Sequence, residues 1–140
     1  MPAPPWNFIA MQYYGLLLNR TYRVYVTDLY LCAAKVSGLL ASPRSVSEKW
    51  YDPEFYVKQS LADQYDHIDP ASPALLAQDR ANFQIARHSI TGIDYYPKKW
   101  GMGAVPYSGR LVVNTSANTS HELILLGRQD AETIRSGLLP

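Results

Sequence analysis

Gly109-Arg110-Leu111-Val112-Val113-Asn114-Thr115-Ser116-Ala117-Asn118-Thr119-Ser120-His121-Glu122-Leu123-Ile124-Leu125-Leu126-Gly127-Arg128-Gln129-Asp130-Ala131-Glu132 is the stretch that decides the fold. Arg110 to Thr115 reads as a strand, and Ser116-Ala117-Asn118-Thr119 has the composition of a hairpin turn. Glu122 to Leu126 is so nearly apolar throughout that both of its faces must be buried. Gly127 ends it. Residues 129–138 then form a helix, with Ala131, Ile134 and Leu138 at spacings of three and four as its buried stripe.

Two more strands precede this unit. Phe83 to Ala86 is short, and Ile90 to Tyr96 carries Ile93 and Tyr95 on one face. Between the latter and Arg110 lies Pro97-Lys98-Lys99-Trp100-Gly101-Met102-Gly103-Ala104-Val105-Pro106-Tyr107-Ser108-Gly109. Nothing else in the chain has its character. Such a loop is where a small β-scaffold carries specificity.

Toward the N-terminus, Phe8 to Leu18 is apolar and aromatic, with Gly15 as a bend or bulge and Asn19-Arg20 as a turn. In Thr21 to Thr27, Tyr22, Val24 and Val26 face one way and Arg23 and Tyr25 the other, the period of a strand. After Thr27-Asp28 the pattern resumes from Leu29 to Val36. Residues 44–82 form a helical insertion. Asp52-Pro53 signals a helix start, and Val57, Leu61, Tyr65 and Ile68 lie at helical spacing until Asp69-Pro70. Ser72-Pro73 starts a shorter helix over residues 73–81. Trp50, Tyr51, Phe55 and Tyr56 read as packing between insertion and sheet. About seven strands joined by short turns make antiparallel meanders, whose two edges must be covered or closed.

The 140 residues form one domain, 47% hydrophobic and 18% charged, with 11 tyrosines. A net charge of +1 argues against generic nucleic-acid binding. The single cysteine, Cys32, lies in an apolar run and reads as a small core side chain; it fits a reducing compartment. The start Met1-Pro2-Ala3-Pro4-Pro5-Trp6 is expected to be extended and lacks the features of a signal peptide. Leu16-Leu17-Leu18 is too short to span a bilayer. A cytoplasmic location is therefore expected. The Asn-x-Ser/Thr triplets at Asn19, Asn114 and Asn118 read as turn chemistry.

Three local patterns resemble the pleckstrin-homology-like superfold in its bacterial form. They are Tyr25-Val26-Thr27-Asp28-Leu29-Tyr30-Leu31, Phe83 to Ile93, and Gly109 to Val113 followed by His121 to Glu132. The resemblance implies an α+β domain: a seven-stranded antiparallel partial barrel, one open end of which a C-terminal helix plugs. Residues 44–82 and 97–109 depart from the family pattern. The superfold hosts phospholipid binders, peptide binders and assembly modules, so it does not decide function.

No metal-ligand spacing joins His67, His88 and His121, and no phosphate-cradling, dinucleotide or nucleophile motif occurs. His67 beside Asp66 and Asp69 reads as a cation at a helix C-terminus, with an Asp-His pair as the alternative. His88 and His121 read as surface polar positions. No cofactor, metal or catalytic constellation is expected. The candidate binding residues are Lys98, Lys99, Trp100, Met102, Tyr107 and Arg110, because aromatic and apolar area beside basic charge is enriched at interfaces. The alternative is that Trp100 and Tyr107 fold back over the barrel. The expected function is a non-catalytic interaction module that contacts a protein partner or a second copy of itself. Anionic lipid or phosphoinositide binding is one alternative. A small-molecule pocket under the insertion, using His67 or His88, is another.

Overall fold

The computed structural model of the chain describes residues 6–14, 18–41 and 45–139. Seven strands form one antiparallel sheet: β1 (Trp6–Tyr14), β2 (Leu18–Val26), β3 (Tyr30–Ser37), β4 (Phe83–Ala86), β5 (Ile90–Tyr96), β6 (Tyr107–Thr115) and β7 (Ser120–Leu126). Their spatial order is β4-β3-β2-β1-β7-β6-β5. The β1–β7 pairing, Ala10 opposite Leu125 and Met11 opposite Ile124, joins the N-terminal strands to the C-terminal ones.

β4 and β5 stand at opposite edges of this sheet, yet only Arg87–Ser89 separates them in sequence. A flat sheet of this width would hold its edges about 29 Å apart at ~4.8 Å per strand spacing. The four Cα steps from Ala86 to Ile90 reach at most about 14 Å. The sheet must therefore curl until its edges nearly meet, and the result is a partial barrel. Tyr22, Val24 and Val26 of β2 point into it, as the alternation predicts, together with Phe8, Leu31, Leu111, Val113, Leu123 and Leu125. Helix α3 (Ala131–Leu138) adds Ile134 and Leu138 to this interior, with Ala131 packed against it. Asp130 caps the helix by accepting from the Thr133 backbone N–H at 3.1 Å. At the helix C-terminus the Arg87 guanidinium donates to the carbonyls of Gly137 and Leu139, both at 2.8 Å, and to Thr27 O at 3.1 Å. One side chain thus ties the end of α3 to the β2–β3 turn.

The convex face is covered as well. Ile9, Met11, Ile124 and Leu126 lie beneath Tyr56, Met102 and Val105, so Leu123 to Leu126 of β7 are buried on both faces, while Glu122, expected to be buried with them, is only half-buried. Cys32, Ala34 and Val36 of β3 lie beneath Tyr65 and Leu75. Burial pushes the Cys32 thiol up to about 12, with the Asp69 carboxylate adding to the effect. The edges are handled locally. Gln84 Nε2 donates to Pro70 O and Ser72 O at 2.8 and 2.9 Å beside β4, and Arg135 Nε donates to Ile93 O at 2.8 Å beside β5.

Three expectations are corrected. Asn19-Arg20 is no turn but part of β2. The Asn19 amide is used instead to grip Leu40, donating to its carbonyl at 3.1 Å and accepting from its N–H at 2.8 Å. The helix expected from Asp52 to Asp69 is broken into short pieces: 3-10 turns at Pro53–Tyr56 and Asp63–Tyr65 and a single α turn, α1 (Gln59–Ala62). Val57 and Lys58 are extended between them, and Lys58 N–H donates to Val36 O at 2.8 Å. Val57 packs against both convex-face clusters, so tertiary contact overrides the helical spacing. The second helix, α2 (Pro73–Gln78), is shorter than expected and buries Leu75 while Leu76 is exposed. The Gly15 bend, the Leu16-Leu17 run and the extended residues 1–5 lie outside the described residues.

Candidate functional site

The 97–109 loop links β5 to β6 and lies over the convex face. Two positive-φ glycines, Gly101 at +88° and Gly103 at +60°, let it turn back on itself there. That turn carries Met102 and Val105 inward, where they are 4% and 6% exposed. The loop is also pinned by polar contacts. Tyr107 Oη accepts from Lys99 N–H at 2.9 Å, and Tyr13 Oη donates to Gly101 O at 3.4 Å. Gly127 N–H donates to Pro106 O at 2.9 Å. Burial, and after it the Glu122 carboxylate, holds the Tyr13 phenol above its ordinary 10.0, so it remains a donor at neutral pH.

Glu122 on β7 gathers the cations of this region. Lys99 Nζ lies 2.9 Å from its Oε1, and Arg110 Nη1 lies 2.6 Å from its Oε2. The Arg110 guanidinium also stacks on Tyr96, 4.3 Å from the ring centroid, and its buried Nε has no hydrogen-bond partner among the described residues. Of the candidate residues, Lys99 and Arg110 converge on one carboxylate, Tyr107 is half-buried as a brace, and Met102 is a core side chain rather than a contact surface. Lys98 is exposed. Trp100 is 95% exposed, the most exposed large hydrophobic side chain among the described residues. Tyr107 therefore folds back over the barrel and Trp100 does not.

Glu122, Tyr13 and Tyr96 escaped the sequence reading. The available signal for Glu122 was a carboxylate opening an otherwise apolar strand. Its role depends on registers that place Val112 opposite Glu122 and Arg110 opposite Ile124.

Next to the loop is a cavity of about 170 Å³, lined by Met11, Tyr13, Asn19, Leu40, Gly101, Met102 and Val105. A more open depression of about 560 Å³, lined by Glu48, Lys49, Tyr51, Asp52 and Arg128, carries mixed charges. The ground between insertion and sheet is filled by Tyr56, Tyr65 and Leu75. His67 and His88 are exposed. His121 is half-buried, not a surface position: it stacks on Phe83, ring centroids 5.2 Å apart, and burial lowers its pKa. Among the described residues no group of His, Cys, Asp and Glu is placed to hold a metal ion. No described helix is long and apolar enough to cross a membrane.

No protein-family model matches the chain, and no match was found among curated proteins or solved structures.

Proposed function

We propose that this chain is a non-catalytic interaction module of pleckstrin-homology-like architecture that contacts another protein through its 97–109 loop. The curled seven-stranded sheet and the C-terminal helix in its interior support the architecture. The observation that carries the function is Trp100, 95% exposed while Lys99 and Gly101 on either side are held by hydrogen bonds. An indole presented on a fixed backbone loses little conformational freedom on binding and removes a large apolar area from water. Lys98 beside it adds one exposed positive charge.

Anionic lipid is the weaker reading. Juxtamembrane attraction supplies about 1 kcal/mol per basic residue. Of Lys98, Lys99 and Arg110, two already share Glu122.

The experiment is an affinity capture from host extract with wild type and with Trp100→Ala/Lys98→Glu. A protein retained by wild type and lost with the variant supports the reading. Partners retained equally by both, or none by either, overturn it.

A further inference from the structure

We draw no further inference here: the strongest candidate, the open depression between the start of the insertion and the link from β7 to α3, sets the cations of Lys49 and Arg128 among the carboxylates of Glu48 and Asp52, and no buried unpaired polar group among the described residues lines it, so nothing in the structure shows what it would bind.

Discussion

Lys99 Nζ, on the loop, lies 2.9 Å from Oε1 of Glu122 on β7, and this pair fastens the loop to the sheet. Arg110 occupies the other carboxylate oxygen, so one acid holds two cations that are each about one-quarter exposed. Glu122→Gln removes both ion pairs at nearly constant volume. Each is worth at most about 1 kcal/mol in such partial exposure, so a loss of about 1–2 kcal/mol is expected in urea unfolding, smaller at high salt. The loop should loosen more than the barrel does. Faster tryptic cleavage after Lys98 and Lys99 in the native protein checks this, and unchanged cleavage would mean that Met102 and Val105 hold the loop alone.

Gly127 should tolerate no side chain. It adopts φ +68°, and a Cβ there would meet Tyr51 O at 2.8 Å. The same backbone approach brings Arg128 N–H to Tyr51 O at 2.7 Å. Gly127→Ala combines left-handed strain with a backbone clash and is expected to cost about 2–3 kcal/mol. Gly101, at φ +88°, has nothing within 4 Å of the corresponding position. Gly101→Ala should carry the conformational cost alone, about 1 kcal/mol. Thermal unfolding of the two variants separates clash from strain.

Arg87→Ala is expected to detach the end of α3. Its guanidinium meets only carbonyls: Gly137, Leu138 and Leu139 on one side, Thr27 and Asp28 on the other. Removing a cation from a helix C-terminus and leaving those acceptors to water should cost about 2–3 kcal/mol. Lysine offers a compact ammonium without the planar fork, so Arg87→Lys should recover only part. Amide hydrogen exchange should rise first in residues 131–138; uniform exchange across the barrel would show that α3 is held by Ile134 and Leu138 instead.

His121 makes stability fall on mild acidification. Burial against Phe83 lowers its pKa below the ordinary 6.5. The unfolded chain therefore takes up the proton first, and stability rises with pH in this window. The contribution is complete above pH 6.5 and is lost as pH falls through 6.5 toward the folded value. His121→Phe keeps an aromatic ring against Phe83 and removes the titration. The difference in Tm between wild type and this variant should grow from pH 7.5 to pH 5.5; a constant difference would mean that His121 is solvated.

The strands were legible because alternation and apolar runs are local properties. Tyr22, Val24 and Val26 face the interior as their spacing requires, and Leu123 to Leu126 are buried on both faces because nothing in their composition could meet water. The C-terminal helix was equally plain from Ala131, Ile134 and Leu138. The insertion was misread as a long helix because Val57, Leu61, Tyr65 and Ile68 do lie at helical spacing. What decides their conformation is the convex face of β3, against which Val57 packs in extended form. The loop shows the same division. Its residue types marked it as a contact surface, but Trp100 and Met102 look interchangeable in sequence. Only tertiary structure makes one 95% and the other 4% exposed, because the convex face of β1 and β7 can take Met102 and Val105 and leaves the indole outside. Periodicity thus determined which residues form strands. The meeting of distant strands and loops decided which side chains are left to face another molecule, since burial is settled by what a residue packs against and not by its neighbours in the chain.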